Sequence, residues 1–294
     1  MLASPSHQST LRAEVRPITS QDIPAVARFL HANLNARLTR SDWQSAIEPS
    51  WPSPASDHGF MLVAGGEIVG AQVAFYCERQ IDGEPQRFCN LGAWCVAPEY
   101  RAHGLRLVSA ALARKGFTFT DLSPSGNVVP LNKRLGFQSL DTRTSLVFNL
   151  PSPPSGGVRL ITDPVEIEAT LRAPDLAIFR DHRTARAAHQ LVIVRGDQTC
   201  HVVFRRDRRK RLPLFATILH ASDAGLFQDC CGHLFNHLLL RCGIPMTLIE
   251  ERIAPCRPWH AIELSKSRPR MFRSSSLDGQ SIDYLYSELV CVPW

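Results

Sequence analysis

A run of proline and glycine, Pro151-Ser152-Pro153-Pro154-Ser155-Gly156-Gly157, falls almost at the midpoint of this 294-residue chain. Proline lacks a backbone donor and biases the residue before it away from helix, and glycine leaves any regular conformation easily. No strand or helix runs through such a stretch. The chain therefore folds from two segments, each close to the ~150 residues of an ordinary domain. The expected organisation is a disordered N-terminus at 1–13, a first domain at 14–150, a linker at 151–157 and a second domain at 158–294.

Within the first segment strand and helix patterns alternate. Glu14 to Ile18 reads as a short strand, and Ile23 to Leu34 repeats apolar residues at helical spacing. Phe60 to Ala64 and Ile68 to Tyr76 form a hairpin about Gly65-Gly66, and Phe88 to Val96 follows the turn at Asp82-Gly83. Then come a helix from about Leu105 to Arg114, a strand at Phe117 to Leu122, a short helix at Val128 to Leu135 and a last strand at Ser145 to Leu150.

The second segment repeats part of this order. His189 to Gly196 resembles His58 to Gly65, Phe215 to His220 stands where Cys89 to Val96 stood, and a helix at Gly225 to Arg241 leads into a strand at Met246 to Ile249. The second half reads as a degenerate copy of the first. Tyr284, Tyr286 and Trp294 alternate with apolar residues as on a final strand, where packing is their default role.

No apolar run reaches the roughly 18 residues of a membrane span. The opening MLASPSHQSTLR lacks the basic start and apolar core of a secretory signal, so a cytoplasmic protein is expected. Nine cysteines, an odd number scattered through apolar surroundings, fit reduced buried thiols better than a disulfide framework. The net charge of +6 suits an anionic ligand and equally a nucleic acid.

The chemistry concentrates between Val96 and Arg106. This segment, Val96-Ala97-Pro98-Glu99-Tyr100-Arg101-Ala102-His103-Gly104-Leu105-Arg106, joins a strand to a helix whose buried stripe is Leu105, Val108, Ala111 and Leu112. A helix start gathers unpaired N–H groups and the positive end of the helix dipole, which suits a pyrophosphate. Gly104 lets backbone approach a ligand, and Arg101, Arg106, Arg114 and Lys115 stand ready for outer phosphates. Further on, Asn127 to Phe137 reads as a short helix that Asn127 caps, with Pro130 in its first turn and Gly136 just past its end.

Together these two pieces resemble the acyl-coenzyme A site of the GCN5-related N-acetyltransferases. Arg101 and Gly104 match that family's Arg/Gln-x-x-Gly-x-Gly/Ala loop, and Leu135-Gly136-Phe137 matches the end of its downstream helix. Arg106 departs, standing where the family has Gly or Ala, and Asn132 stands where it often has a tyrosine acid. The resemblance covers residues 14–150. It implies an α/β fold, two GNAT-like mixed β-sheets in tandem flanked by helices, and acetyl-CoA or another acyl-CoA as co-substrate. It also implies transfer of the acyl group to a small-molecule or protein amine by direct attack. The coenzyme would meet Trp94, Cys95 and Val96, whose N–H groups hold the thioester oxygen, the loop Arg101, Ala102, His103, Gly104, Leu105 and Arg106, and Asn127. Asn132 would hydrogen-bond the sulfur or pantetheine amides, and Ser123, Ser125 and Tyr100 are substitutes for the missing acid, Ser125 being taken with Asn132 as the catalytic pair. No acidic residue lies on the Phe88 to Val96 strand, so a water relay is the expected base. A binding protein that keeps the fold without turnover is the alternative.

Other features fit bland roles. Cys230, His233 and His237 share one helical face and could reach one zinc, yet a fourth ligand is missing locally, so no metal is expected. Cys77, Cys89 and Cys95 read as core residues, with Cys95 as an acyl carrier the sharper alternative. The charge run Arg205 to Arg211 lies between apolar strands without interleaved aromatics. It reads as a solvated hairpin turn, and nucleic acid is not the expected partner.

Overall fold

The computed structural model describes residues 12–151, 156–209, 212–265 and 267–294. The first half runs β1 (Glu14–Pro17), α1 (Ile23–Asn33), α2 (Arg40–Ile47), β2 (Gly59–Ala64), β3 (Glu67–Ile81), β4 (Glu84–Val96), α3 (Gly104–Leu112), β5 (Thr118–Asp121), α4 (Val128–Arg134), β6 (Gln138–Ser139) and β7 (Thr144–Phe148). The second runs β8 (Val158–Ile161), α5 (Pro164–Thr170), α6 (Asp175–Asp181), β9 (His189–Arg195), β10 (Gln198–Arg209), β11 (Leu212–Ala221), α7 (Ala224–Leu240), β12 (Met246–Glu250), β13 (Ile262–Glu263), β14 (Met271–Arg273) and α8 (Glu288–Cys291).

These strands form two seven-stranded sheets, ordered β1-β2-β3-β4-β5-β14-β6 and β13-β7-β12-β11-β10-β9-β8. Each sheet is an antiparallel meander of four strands followed by one parallel pair, β4 with β5 and β11 with β12. The repeat read from His58 and His189 is thus a repeat of architecture, with α3 and α7 filling the same crossover.

The linker lies between the repeats in sequence but does not separate the sheets. Strand β7, expected to close the first sheet, instead pairs antiparallel with β12 in the second, Leu146 opposite Leu248. In return β14 enters the first sheet against β5, Phe272 opposite Thr120. Each half thereby covers the edge its partner would leave open. Of the expected disordered lead-in, residues 1–11 lie outside the described residues, while Ala13 is buried. Of the linker, 152–155 also lie outside them.

Between the sheets runs a shared core in which Phe75, Val203, Leu219, Tyr284 and Leu289 pack together. Much of it comes from the C-terminal stretch 282–292, which the alternation of Tyr284 and Tyr286 misrepresents as a strand; it is a bend and a turn that lead into α8. Tyr286 has φ 56°, outside the strand region, because the chain turns there to place its hydroxyl on Asp181 at 2.7 Å. Arg79 of β3 pairs with Asp283 through two hydrogen bonds, one of 2.6 Å, and this ties the stretch to the first sheet. His182 sits fully buried beside it, its Nδ1 donating to Ile178 O at 2.9 Å and its Nε2 accepting from Tyr286 N at 3.1 Å. Burial pushes this imidazole down to about 4.

One further expectation changes. The charge run is not wholly solvated: Arg205 is 4% exposed, bonded to Asp207 at 3.1 Å and to Leu289 O at 2.9 Å, because β10 extends through it and alternate side chains face inward. Residues 210 and 211, where the turn was expected, lie outside the described residues. Cys230 packs in the core beneath α7, and no three ligand-type side chains among the described residues are grouped to hold a metal ion. Cysteines are free throughout, with the sulfurs of Cys231 and Cys256 approaching to 2.7 Å.

Candidate functional site

Strands β4 and β5 stay paired only from Phe88 to Asn90 against Thr118 to Thr120. Beyond Asn90 they diverge, so the edge of β4 from Leu91 onward has no strand beside it. On its other edge the ladder to β3 shifts register: Ala74 faces Leu91 and Gln72 faces Trp94, leaving Gly92 and Ala93 opposite Val73 alone. One extra residue on β4 is a β-bulge, which bends the strand away from β5. Gln72, 2% exposed, secures the bulge by donating from Nε2 to the carbonyls of Gly92 and Val73, each at 3.1 Å.

A cavity of about 300 Å³ opens in this splay. Its walls are Gly92, Ala93 and Trp94 of β4, Asp121 at the end of β5, and Ser123 and Ser125 of the loop that follows. Asn132 and Val128 of α4 close one side; Trp294 and Arg268 reach it from the second half. Trp94 Nε1 is buried with no hydrogen-bond partner among the described residues.

One buried acid, Asp121, lines the cavity, and a second, Glu288, is bonded to its lining. Asp121 accepts from Asn132 Nδ2 at 2.7 Å, and Asn132 is itself 2% exposed. Loss of water pushes the Asp121 carboxyl up to about 6, although the hydrogen bond from Asn132 opposes this. Glu288, at the first turn of α8, is fully buried. Its Oε1 accepts from Ser123 Oγ at 2.8 Å and its backbone N–H donates to Asn90 Oδ1 at 3.0 Å, while Oε2 has no partner among the described residues. Burial and the neighbouring charge of Asp121 push Glu288 up to about 7. A carboxyl poised near neutrality and wired to a hydroxyl in a cavity can take or give a proton at physiological pH.

Glu288 was missed because it lies far along the chain from the strand it serves. A signal existed: it interrupts the apolar run from Tyr284 to Val292, and a lone acid in such a run is buried with it.

The residues singled out by sequence fall into two groups. Trp94, Ser125 and Asn132 line the cavity. Asn132 is already engaged by Asp121, which fixes its amide rather than leaving it free for a ligand. Cys95, Val96, Arg101, Ala102, His103, Leu105, Arg106 and Asn127 lie outside the lining. Arg101 to His103 belong to a tight 3₁₀ turn, Pro98–His103, that runs directly into α3. Arg101, Ala102, Leu105 and Arg106 are exposed there, and no side chain caps the start of α3. Arg106 turns its guanidinium onto Ala13 O at 2.8 Å, and Arg114 onto Asp57, so both leave the phosphate position the sequence assigned them. Gly104 is helical, and a Cβ there would lie 3.3 Å from Trp94 and Val96: the close approach it permits is that of α3 to β4. Asn127 makes no side-chain cap, whereas Gly136 (φ 86°) ends α4 with Phe137 N donating to Asn132 O at 3.0 Å. Burial raises the Cys95 thiol, opposite to what an acyl carrier needs. Tyr100 packs with Leu62 and Leu107 away from the splay.

Solved structures share this fold. A GCN5-related N-acetyltransferase from Anabaena variabilis superposes with a TM-score of 0.60 at 14% identity, over 89% of this chain and 72% of its own. One from Kribbella flavida gives 0.58 at 16%, over 91% and 72%. Eis1 from Mycobacterium abscessus gives 0.52 at 13%, over 88% and 73%. The fold is that of the GCN5-related N-acetyltransferases, in tandem. No family model matches the sequence, and no curated protein does. Among the described residues no helix is long and apolar enough to cross a membrane.

Proposed function

We propose that this protein is an acyl-CoA-dependent N-acyltransferase, acetyl-CoA being the simplest co-substrate, whose chemistry takes place in the β4–β5 splay. One observation carries the reading: a bulge-opened cavity whose only buried acids, among its described lining and the residues bonded to that lining, are Asp121 and the Ser123-linked Glu288. The fold likeness supports a transferase. The residues supply what such a reaction asks of a protein.

The unpaired edge of β4 beyond Asn90 offers backbone N–H groups to a thioester oxygen, and the partnerless Trp94 Nε1 adds an indole donor beside it. The coenzyme's phosphates lie toward the uncapped start of α3, where Arg101 is exposed. The cavity holds amine and thioester together, and this proximity supplies much of the acceleration. When the amine nitrogen bonds to the carbonyl carbon, its proton passes to Ser123 Oγ as that hydroxyl gives its own to Glu288 Oε1. The C–S bond then breaks, the thiolate takes a proton from solvent and Glu288 releases to solvent the one it accepted, so amine and thioester become amide and thiol with no net change in protons. Glu288 thus replaces the water relay as the base, and Asp121 with Asn132 orients the wall of the site.

Titrating acetyl-CoA into the protein by calorimetry and following thiol release with an amine panel tests this. Ser125→Trp places an indole at an exposed rim position and is expected to abolish acetyl-CoA binding without unfolding the chain. Undiminished binding would move the site elsewhere. The alternative of binding without turnover gains from Asn132, which offers a leaving thiolate no acid; acetyl-CoA binding with no thiol release for any amine would establish it.

A further inference from the structure

A second cavity, of about 270 Å³, lies on the face of the second sheet opposite α7. Side chains on that face alternate with those packed under the helix: Leu146, Phe215 and Leu248 face the cavity, whereas Val147, Ala216 and Ile249 join the core beneath α7. Leu264 completes an apolar wall.

Its charges do not balance. Both acids of the lining are occupied within the protein. Asp207 accepts from Thr217 Oγ1 at 2.5 Å and from Arg205 Nε at 3.1 Å, and Glu250 takes the Tyr284 hydroxyl and stands 2.9 Å from Arg270 Nε. Three arginines face the same space, Arg208, Arg268 and Arg270. Arg270 is 6% exposed, stacked 3.8 Å over the Tyr284 ring, and its Nη1 has no partner among the described residues. Arg208 and Arg268 are in no ion pair among the described residues. Arg208 and Arg268 thus stand beside an apolar wall with no acid of the described lining left to meet them, which suits an external carboxylate or phosphate.

Arg268 also lines the splay cavity, so one residue borders both. We propose that the sheet-2 cavity is the acceptor subsite and that the acceptor is an α-amino acid with an apolar side chain. Its carboxylate pairs with Arg268, its side chain lies against Phe215, Leu248 and Leu264, and its amine, one carbon from the carboxylate, projects into the splay toward Ser123. This assignment rests on the acyltransferase reading above. The space is at the lower end of ligand-sized pockets, ~300 Å³, and suits an amino acid better than a larger substrate.

The test uses the full chain with acetyl-CoA and four amines: L-leucine, L-phenylalanine, L-leucinamide and O-phosphoethanolamine. Thiol release is expected to favour L-leucine over its amide by roughly 5-fold in kcat/KM, the scale of a charge pair made with an exposed arginine. Arg268→Gln, at an exposed position that leaves the fold intact, should raise KM for leucine by about as much and leave KM for leucinamide unchanged. Equal use of acid and amide, or a preference untouched by Arg268→Gln, overturns the proposal. Preference for O-phosphoethanolamine overturns the carboxylate in favour of phosphate. If no amine releases thiol, calorimetry with L-leucine and L-leucinamide still decides: acid-selective binding lost in Arg268→Gln upholds the subsite while the acyltransferase reading falls, and no binding of either amino acid overturns the subsite.

Discussion

The two halves have the same plan and opposite openings. In the first, β4 leads through the 3₁₀ turn into α3, whose start no side chain caps. In the second, only Ser222 and Asp223 separate β11 from α7, and Asp223 turns back to accept from Leu226 N at 2.8 Å. The protein's own carboxylate thus sits where an anion would bind, and the helix dipole is already answered. The crossover of the first half is left available for a ligand; that of the second is closed into structure. What the second half keeps open is part of the other face of its sheet, where the arginine-rich cavity lies against Phe215 and Leu248.

Separating the halves is the most severe challenge to this comparison. Because β7 and β14 are exchanged, residues 12–151 alone would carry an unpaired β7 and lack both β14 and Glu288. No cooperative thermal transition is expected by circular dichroism for that fragment, and recovery is expected when the two halves are mixed. An independently melting first half would show the exchange to be dispensable.

Next in size is the proton route that crosses between halves. Glu288→Gln should lower kcat by about 100-fold, within the usual range for general-base catalysis, with acetyl-CoA affinity unchanged. In the native protein kcat should climb with pH through about 7 as Glu288 ionises. A Gln variant of full activity would return the base to water.

The same carboxyl marks stability. Its value rises from 4.5 in the ordinary state to about 7 when folded, so the native state holds a proton the unfolded chain has released between those limits. Its contribution is full below pH 4.5 and lost as pH rises through about 7, a change of roughly 3 kcal/mol. Urea melts at pH 6 and pH 9 should show Glu288→Gln gaining on the native chain at the higher pH. Equal slopes would mean that Glu288 is not buried in its neutral form.

The smallest effect sharpens the contrast of helix starts. Asp223→Ala is expected to cost about 1 kcal/mol in a urea melt and to leave acetyl-CoA binding unchanged. A cap whose removal created a second coenzyme site would show the closure to be reversible.

Much of the architecture was legible locally. The apolar spacing of Ile23 to Leu34, the turns at Gly65-Gly66 and Asp82-Gly83, and the Leu135-Gly136-Phe137 helix end are short-range patterns, and each element stands close to where they place it. The site was legible in part. Trp94, Ser125 and Asn132 reach the cavity because strand order and helix register carry them there. Arg106 and Arg114 could not be judged from type alone: both lie near the loop in sequence, but Ala13 O and Asp57 claim them in space.

By itself the sequence determined that this chain has two halves of strand and helix in a common order. Periodicity, glycine and proline act over a few residues and need no knowledge of the rest. Only the tertiary structure decided which sheet receives β7 and β14, that Glu288 lies under Ser123, and that Arg268 borders two cavities. Those outcomes depend on which edges and charges meet after collapse, and edge pairing and burial are properties of neighbours distant in the chain.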